Sequence, residues 1–311
     1  MKDASILRCP HCHAAALQQE GDVTSCRGCG ATYPHCGGRP VLLRHDNPLF
    51  KPSDYPAQPS NRLARKRRIM PSASVNLARE RLLARLADRL REHCDSPITV
   101  LVVGAGVQRE ALQGYLGGEG RVQILCADID VSADVDFFAD AHELPCADGS
   151  VDAIITTAVL EHVLDPVRVA REITRVLKVG GLLYSELPFM QQVHEGAYDF
   201  TRYTLSGHRR LFNRFREIDA GMVAGPGTAL VWSLENFTTA FFSGRHARLL
   251  ARGVTRLLCS WIKLADHWLE SRPAAMDGAS CTYLFGERME GSVSDAELID
   301  RYVGARRLSH I

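Results

Sequence analysis

Between residues 98 and 187, short runs of apolar residues alternate with segments whose apolar residues recur every three or four positions. The runs are rich in β-branched residues and have the length of buried strands, whereas the segments between them have the period of amphipathic helices. Alternation of this kind predicts a parallel sheet with helices packed on it. The predicted strands are 98–103, 122–127, 135–138, 151–156 and 182–186.

Two helices accompany this sheet. Residues 74–93 carry leucines at helical spacing between arginines and acids, which predicts an amphipathic helix that packs on the sheet. A second helix is predicted to begin at Asp165-Pro166, because aspartate is a favoured N-cap and proline fits the first helical position. Gly180-Gly181 predicts its end, since glycine adopts the left-handed conformation of a C-cap.

Beyond residue 187 the pattern predicts two more strands, 216–222 and 281–287, separated by an unusually long insertion at about 226–275. Large apolar residues in the insertion suggest two helices, and arginines accompany the second. We expect a helical hairpin packed on the core; the alternatives are a lid, a dimer surface or a helix that lies on a membrane surface. Residues 291–311 predict a short C-terminal helix and a tail.

The first strand ends in Gly104-Ala105-Gly106, and a helix-compatible segment follows. The first glycine allows a sharp turn, and the second lets ligand atoms approach the backbone. Such a turn between a buried strand and a helix is typical of sites for nucleotide-like ligands. Asp128 follows the next strand, where a carboxylate can accept hydrogen bonds from the hydroxyls of a ribose. These features suit a dinucleotide and adenosylmethionine equally.

Five of the ten cysteines lie in the first 36 residues. Four of them form two Cys-x-x-Cys turns, Cys9 with Cys12 and Cys26 with Cys29. Each turn presents two thiolates from one tight loop, so together they supply the four soft ligands of tetrahedral Zn²⁺. So short a segment buries too little apolar surface to fold alone. Zinc is therefore predicted to drive the folding of a ribbon over residues 1–45.

The net charge and the composition limit the kinds of binding partner and the cell compartment that we expect for this protein. The formal net charge is +1, which is no general reason to expect nucleic acid or an anionic membrane. Residues 1–16 carry charges where a signal peptide needs an apolar core, and no apolar run approaches the roughly 20 residues of a membrane span. We therefore expect a cytoplasmic protein with reduced thiols. Prolines predict a linker at 46–72, and its basic run 62–68 is either solvated or in contact with RNA phosphates.

The N-terminal segment matches a known module. Tyr33-Pro34 and the run 38–43, which ends in Pro-Val-Leu-Leu, follow the two cysteine turns. With these features the segment resembles the small zinc-ribbon proteins that partner and activate tRNA methyltransferases. The resemblance covers about 40 residues, and Arg39 stands where that family usually has an apolar residue.

Four motifs follow the glycine turn in order: DAHELP at 140–145, DGSVD at 148–152, LEHVLDP at 160–166 and RVLKVGG at 175–181. In this order they resemble the class I S-adenosylmethionine-dependent methyltransferases, over roughly residues 98–190. The resemblance implies an α/β fold in residues 73–290, a Rossmann-like sheet of seven strands whose last strand is antiparallel, with the helical insertion before that strand.

The same resemblance implies the contacts to the cofactor. From the methionine end to the adenine end they are Gly104, Ala105, Gly106, Thr157, Asp128, Ile129, Asp140, Ala141 and His142. Asp128 is implied to hold the ribose, and Asp140 to accept from the adenine amino group. The family often has an acid at the position of Val102 and a third glycine at that of Gln108. Because of these two departures, weak binding of S-adenosylmethionine and an inactive homologue both remain open as alternatives.

The acceptor is expected at the loop after the fifth strand, because ligands of open parallel sheets bind beyond the carboxyl ends of the strands. The loop contains Pro188-Phe189, His194 and the run DFTRYT at 199–204, and with these residues it resembles the loop of methyltransferases associated with bacterial glycan and cell-surface pathways. We predict that His194 faces the methyl site and acts as the base. The residues predicted to bind the acceptor are His162, Tyr198, Asp199, Arg202 and Tyr203. The alternative is that Asp199 and Arg202 pair to brace the loop while Thr204 caps the next helix.

The sequence therefore predicts an S-adenosylmethionine-dependent methyltransferase with structural Zn²⁺ in its ribbon. The expected acceptor is a hydroxyl or amine of a small molecule or of a glycan or lipid-linked compound, with peripheral membrane contact through 226–275. An RNA or tRNA methyltransferase is an alternative, favoured by the ribbon and the basic run. The neutral net charge and the lack of an Asn-Pro-Pro-Tyr-type motif at 156–159 argue against it. A non-catalytic scaffold that binds a partner is the alternative outside enzymes.

Overall fold

The computed structural model describes residues 5–57, 72–93, 97–106, 108–117 and 120–305. The basic run 62–68 lies outside these ranges. The N-terminal segment forms a four-stranded antiparallel sheet in the order β1-β2-β3-β4. Its strands are β1 Leu17–Glu20, β2 Val23–Cys26, β3 Thr32–Cys36 and β4 Arg39–Pro40.

The second sheet has seven strands in the order β10-β11-β9-β8-β5-β6-β7. They are β5 Ile98–Val103, β6 Val122–Asp128, β7 Phe137–Phe138, β8 Val151–Thr157, β9 Leu177–Pro188, β10 Phe215–Ala224 and β11 Cys281–Arg288. Strand β11 is antiparallel to both of its neighbours, and the other pairs are parallel. The prediction of a Rossmann-like, seven-stranded sheet with an antiparallel last strand is thus confirmed.

The helices are α1 Arg79–His93, α2 Arg109–Leu116, α3 Pro166–Val176, α4 Leu205–Leu211, α5 Pro226–Ala240, α6 Arg245–Cys259, α7 Asp266–Leu269 and α8 Asp295–Asp300. The predicted N-cap at Asp165 is confirmed, and so is the cap at Thr204 that formed part of the alternative reading of the loop. The Asp165 carboxylate accepts a hydrogen bond from the amide of Arg168, and the Thr204 hydroxyl accepts one from the amide of Gly207. These caps satisfy backbone donors that a helix start leaves unpaired.

The predicted end of α3 at Gly180-Gly181 is wrong. The helix ends at Val176, and β9 begins at the next residue and runs through both glycines. Opposite Asp152 the register of β9 jumps from Leu177 to Leu182, so the residues between them bulge out of the sheet. Gly180 has φ +81°, and a Cβ on Gly181 would lie 2.8 Å from the Lys178 carbonyl oxygen. The glycines therefore serve a β-bulge, which needs the same conformational freedom as a C-cap.

The ribbon packs on the free edge of the seven-stranded sheet. Val41 forms a parallel bridge with Phe138, and the amide of Leu42 donates a 2.9 Å hydrogen bond to the Phe138 carbonyl. Buried Tyr33 and Leu42 belong to the same apolar cluster as Phe137 of β7 and Leu144. The ribbon and the sheet thus share one continuous core, and the ribbon covers an edge that would otherwise present unpaired backbone groups.

The insertion between β10 and β11 contains α5, α6, a 3-10 helix at Ser260–Ala265, and α7. Buried Glu235 of α5 pairs with Arg252 and Arg256 of α6 at 2.8 and 2.6 Å. Buried Asp266 accepts hydrogen bonds from the start of α5. These contacts hold the insertion together as the expected packed hairpin. In the part of the chain that the structure describes, the helices are each too short or too polar to cross a membrane.

Candidate functional site

The glycine turn lies at the carboxyl end of β5, beside the end of β6. Gly104 has φ +73° and Gly106 has φ +50°, in the left-handed region that favours glycine. A Cβ on Gly104 would lie 2.1 Å from Cγ2 of Val159, so packing from the end of β8 excludes a side chain there. A Cβ on Gly106 would meet nothing within 4 Å. The turn therefore leaves open space on the Gly106 side, where a ligand can approach the backbone.

Asp128 at the end of β6 is held against this turn. Its Oδ2 accepts a 2.8 Å hydrogen bond from the amide of Gly106, and its Oδ1 accepts from the amides of Ile129 and Asp130. Burial raises the pKa of Asp128, despite these backbone donors. A carboxylate has about four acceptor positions, so Oδ2 keeps one for a ligand hydroxyl. The donor set thus fits a ribose at this point.

Asp140, which follows β7, is surrounded by donors. Its Oδ1 accepts from the amide and from Nδ1 of His142, at 2.9 and 2.6 Å, and its Oδ2 accepts from the side-chain amide of Asn47 at 2.8 Å. Burial raises the pKa of Asp140, but these hydrogen bonds lower it more, so the pKa lies below its ordinary value. Nε2 of His142 accepts from the amide of Asp165, which makes Nδ1 the donor to Asp140.

The segment that leaves the ribbon reaches this site. Besides the Asn47 contact, the hydroxyl of Tyr55 donates a 2.6 Å hydrogen bond to the carbonyl of Ile129, and its ring lies 5.2 Å from that of Phe138. Both residues, Asn47 and Tyr55, lie in the segment that its prolines predict to be a linker, so their contacts with the site were not predicted. The only signal was the pair of aromatic residues, Phe50 and Tyr55, in an otherwise polar, proline-rich stretch.

Gln108 stands where the resembling family usually has a third glycine. Its Nε2 lies 3.2 Å from the Thr157 hydroxyl, and the Thr157 hydroxyl lies 3.4 Å from its Oε1. The side chain therefore bridges the glycine turn and the end of β8. This departure is accommodated by a specific contact between the N-cap of α2 and the end of β8, both of which border the expected methionine position.

A second cluster lies beyond β8 and β9. Glu161 has 1% of its surface exposed, and neither carboxylate oxygen has a hydrogen-bond partner among the described residues. Burial raises its pKa to about 7. Oε1 of Glu161 lies 3.7 Å from Nε2 of His162 and 3.9 Å from Nε2 of His194. In the sequence Glu161 is one residue of the LEHVLDP motif, and no local pattern predicts a role for it.

Both histidines of this cluster are oriented through Nδ1. Nδ1 of His162 lies 2.7 Å from the carbonyl oxygen of Tyr198. Nδ1 of His194 lies 3.3 Å from Oδ2 of Asp199 and 3.4 Å from the carbonyl oxygen of Gln192. Carbonyl and carboxylate oxygens only accept, so Nδ1 is the protonated nitrogen in each ring and Nε2 carries a lone pair. Burial, with the nearby His162, lowers the pKa of His194.

The other residues predicted to bind the acceptor surround these histidines. Asp199 and Arg202 form a two-point ion pair, and Arg202 also donates to the carbonyls of Gln191 and Gln192. Tyr203 packs against the apolar core, and Tyr198 is exposed on the 3-10 helix Gly196–Tyr198. The structure therefore brings His162 and His194 together, while Asp199 and Arg202 brace the loop that carries His194.

Helix α5 and the segment before α1 stand beside this cluster. The His194 ring lies 6.4 Å from that of Trp232, and Gln192 donates a 2.9 Å hydrogen bond to the hydroxyl of Ser233. The Trp232 indole donates in turn to the Ser74 hydroxyl at 2.9 Å. The helical insertion therefore contacts the expected acceptor side directly.

The ribbon holds the four predicted zinc ligands together. Sγ of Cys9 lies 3.7 Å from Sγ of Cys29, and Sγ of Cys12 lies 3.6 Å from Sγ of Cys26. All four sulfur atoms lie within 4.8 Å of one another. In a tetrahedral Zn²⁺ site with bonds of about 2.3 Å, thiolate sulfurs lie about 3.8 Å apart. The donor set and its spacing fit a structural Zn²⁺ ion.

Comparison with known proteins identifies the segment that includes the glycine turn. Residues 104–185 match the family model described as a methyltransferase domain. Over 44 residues the chain is 50% identical to an uncharacterized 37.1 kDa protein in transposon TN4556 of Streptomyces fradiae. That match spans 14% of this chain and only 13% of the transposon protein.

Three solved structures similar to this chain illustrate the range of matches. A putative sarcosine dimethylglycine methyltransferase from Galdieria sulphuraria is 16% identical, with 68% of this chain and 86% of that chain covered and a TM-score of 0.43. A complex between the Haloferax volcanii Trm112 methyltransferase activator and the putative methyltransferase is 19% identical, with 71% and 100% covered and a TM-score of 0.41. Phosphoethanolamine N-methyltransferase 2 of Haemonchus contortus, in complex with S-adenosyl-L-methionine, is 14% identical, with 67% and 53% covered and a TM-score of 0.41.

Proposed function

Because residues 104–185 match the family model described as a methyltransferase domain, we propose that this protein uses S-adenosylmethionine to methylate a hydroxyl of a lipid-linked acceptor at a membrane surface. One observation carries the choice of acceptor. Helix α5 contacts the His194 side of the site through Trp232 and Ser233, and the same insertion exposes a broad apolar face to solvent.

The proposed cofactor contacts follow the two strand ends and the glycine turn. Gly104, Ala105 and Gly106 border the methionine part, and Thr157 borders it from β8. Asp128 and Ile129 hold the ribose, and the open side of Gly106 together with the free acceptor position of Asp128 supports this assignment. Asp140, Ala141 and His142 lie at the adenine.

Adenosylmethionine, when bound, supplies a methyl group that its sulfonium has already activated. The protein has to align the acceptor with that group and remove the acceptor proton. We assign the second task to His194, because Asp199 and Gln192 fix its Nδ1 as the donor and leave the lone pair of Nε2 for an acceptor hydroxyl. Arg202 holds Asp199, and so positions His194 indirectly.

The exposed face of the insertion supports an acceptor with a lipid tail. Its most exposed large apolar side chains are between 67% and 73% exposed, and they are Phe241, Leu250, Leu257, Trp261 and Trp268. Arg245 and Arg248, also on α6, are exposed as well. An apolar stripe with flanking arginines is typical of helices that lie in a membrane interface and contact anionic headgroups. The RNA alternative draws on the ribbon and on the basic run 62–68, and the basic run lies outside the described part of the chain.

Cofactor binding is tested by calorimetry with S-adenosylmethionine. We expect binding by the wild type and at least tenfold weaker binding by Asp128→Asn, because the amide cannot accept both backbone donors and a ribose hydroxyl as the carboxylate does. Asp130→Asn is the matched control, since Asp130 is the exposed neighbour on the same loop. Absence of binding by the zinc-loaded wild type contradicts the proposal.

The acceptor surface is tested by sedimentation with vesicles that contain anionic lipid. Leu257→Asn is expected to weaken vesicle binding, whereas Ile299→Asn is not. Both side chains are 73% exposed, but Ile299 lies on α8, outside the insertion. If Leu257→Asn instead converts a dimer to a monomer and the wild type ignores vesicles, the surface is a subunit interface and the lipid-linked acceptor is excluded.

A further inference from the structure

Glu161, His162 and His194 place three potential metal-ligand atoms close together, and the protein provides no hydrogen-bond partner for the carboxylate of Glu161 among the described residues. Glu161 is almost completely buried, and its two oxygens have no hydrogen-bond partner among the described residues. A buried, unpartnered carboxylate is costly unless a cation or a donor compensates it. We propose that these three residues bind a divalent transition-metal cation at the acceptor side of the site.

The distances separate this cluster from an ordinary hydrogen-bonded triad. The two Nε2–Oε1 distances, 3.7 and 3.9 Å, are longer than hydrogen bonds, so neither histidine satisfies Glu161 directly. All three ligand atoms nevertheless lie within 4.8 Å of one another. Ligand atoms of a tetrahedral site with bonds of about 2.0–2.1 Å lie about 3.3 Å apart. To close around a cation, the two Nε2–Oε1 distances shorten by about 0.4 and 0.6 Å, and the remaining pair of ligand atoms shortens by up to about 1.5 Å. Rotation of the side chains supplies movements of this size.

The histidines already present the correct nitrogen. A metal ligand must offer a lone pair, and hydrogen bonds from Nδ1 leave that lone pair on Nε2 of both rings. The acceptors are the carbonyl of Tyr198 for His162 and the carbonyl of Gln192 for His194, whose Nδ1 also lies 3.3 Å from a carboxylate oxygen of Asp199. Asp199 is itself held by Arg202. A histidine whose second nitrogen donates to a carboxylate or a backbone carbonyl is the usual arrangement around protein metal sites.

The donor set also indicates the class of cation. Two imidazoles and one carboxylate suit Zn²⁺, Fe²⁺, Co²⁺ and similar first-row ions, whereas Mg²⁺ and Ca²⁺ prefer oxygen ligands. Three protein ligands leave at least one coordination position open, as in catalytic sites. The four cysteines of the ribbon, by contrast, form a closed structural set. The described part of the chain thus has two candidate metal sites. One has four soft thiolate ligands and no free coordination position, and the other has three nitrogen and oxygen ligands and at least one free position.

The role of the cation rests on the proposed function. A hydroxyl of the acceptor that occupies the open position loses its proton more readily, because the cation stabilises the alkoxide. The proton passes to water, the oxygen lone pair forms the new bond to the methyl carbon, and the electron pair of the broken carbon–sulfur bond remains on sulfur. When the cation is bound, Nε2 of His194 is one of its ligands and cannot accept the acceptor proton. The role of His194 as base therefore applies to the site without the cation.

The test counts metal in the full chain and needs neither cofactor nor acceptor. Protein whose ribbon is saturated with Zn²⁺ is titrated with Co²⁺, and visible absorption is recorded. We expect a second equivalent of metal, with weak ligand-field bands and no sulfur-to-cobalt charge-transfer band, because the site contains no thiolate. A wild type that holds one equivalent of metal in total overturns the inference.

Variants locate the second equivalent. Glu161→Gln and His194→Gln are expected to lose it, and Asp199→Asn to bind Co²⁺ about 10- to 100-fold more weakly, as loss of a partner to a ligating histidine does. The matched controls Glu195→Gln and His246→Gln, at exposed positions, are expected to keep it. Retention of the second ion by Glu161→Gln overturns the inference.

Two further measurements keep the outcomes distinct. Replacement of the ribbon zinc by Co²⁺ produces a charge-transfer band only if the ribbon is folded, so it reports misfolding of a variant. Calorimetry with S-adenosylmethionine reports the proposed function separately. Cofactor binding without a second metal rejects the metal site alone, and a second metal without cofactor binding rejects the methyltransferase proposal alone.

Discussion

Asn47 donates a 2.8 Å hydrogen bond from its side-chain amide to Oδ2 of Asp140, 93 residues later in the chain. Asn47 lies in the segment that follows the ribbon, and Asp140 lies at the adenine end of the proposed cofactor site. Tyr55, a few residues further, binds the carbonyl of Ile129 in the same region. The ribbon is therefore connected to the proposed cofactor site through its outgoing segment as well as through its packing on β7.

Loss of the Asn47 contact is expected to weaken cofactor binding. Asn47→Ala removes one hydrogen bond that orients a largely buried carboxylate, and such a bond contributes about 0.5–1.5 kcal/mol. We therefore expect the Kd for S-adenosylmethionine to rise about 2- to 13-fold in calorimetry. Asp46→Asn, which affects only a surface pair with Arg44, is the control. Unchanged or tighter binding by Asn47→Ala shows that the contact does not prepare Asp140 for the adenine.

Loss of the ribbon zinc is expected to destabilise the whole molecule. The apolar cluster that contains Cys9 and Tyr33 continues into Phe137 and Leu144 of the sheet domain. Because metal binding and folding are coupled in so small a ribbon, Cys12→Ser is expected to lower the free energy of unfolding by several kcal/mol. Calorimetric melting should show one transition at a lower Tm, while Cys259→Ser on α6 should be nearly neutral. Two separate transitions, with the later one unshifted, argue against a shared core.

Stability is expected to fall on acidification through His208. This side chain is fully buried, with Nε2 2.9 Å from the Ser185 hydroxyl and Nδ1 3.3 Å from that of Thr282. Burial, with the charge of Arg209, lowers its pKa to about 3. The unfolded chain takes up a proton near the ordinary value of about 6.5, so the contribution of His208 is complete above that pH. It declines as the pH falls, by about 2 kcal/mol at pH 5, until the folded form is protonated near pH 3.

Urea unfolding of the wild type and of His208→Gln between pH 7.5 and 5 measures this contribution. The variant is expected to be less stable at neutral pH, because glutamine does not reproduce the ring, and to lose less of its stability on acidification. The comparison of the two slopes cancels the other titrating groups that both proteins share. Parallel slopes would mean that His208 takes up its proton equally in the folded and unfolded chains.

Asp266 is expected to determine whether the insertion is docked. This buried carboxylate accepts hydrogen bonds from the amides of Gly225, Gly227 and Thr228 and from the Thr228 hydroxyl. A Cβ on either glycine would lie within 2.8 Å of the Asp266 Oδ1 atom, so the close approach requires glycine at both positions. Removal of a charged acceptor from several buried donors costs about 1.5–3 kcal/mol or more.

Tryptophan fluorescence reports this change selectively, because the three tryptophans of the chain, Trp232, Trp261 and Trp268, lie in the insertion. Asp266→Ala is expected to shift the emission and to unfold the insertion at lower urea than the rest of the protein. Asp300→Ala, at an exposed position of α8, is the control. An unchanged unfolding midpoint for Asp266→Ala rejects the role of this cap.

The features predicted correctly from the sequence are those with local causes. The N-caps at Asp165 and Thr204 depend on residues three positions away, and the strands of the sheet follow from their apolar runs. The spacing of the cysteine turns is likewise a local property, and the structure brings the four sulfur atoms together as expected. Gly180-Gly181 was misassigned because a C-cap and a β-bulge require the same backbone freedom.

Residues whose partners lie far away in the sequence were not predicted to belong to the site. Asn47 and Tyr55 lie in a segment whose prolines predict a linker, and nothing local shows that this segment packs on β7 and the loop after β6. In the sequence, Glu161 stands out only as part of the LEHVLDP motif. Its burial and its distance from His194, 33 positions later, depend on how β8 and β9 place their following loops side by side.

The sequence by itself determined the alternation of strands and helices, the ribbon ligands and the glycine turn, because hydrophobic period, ligand type and backbone freedom are properties of neighbouring residues. Only the tertiary structure decided which polar groups share a site. Burial without a hydrogen bond, as at Glu161, exists only once separate loops pack together. The same holds for the contact of Asn47 with Asp140, since the ribbon must first dock on the edge of the sheet.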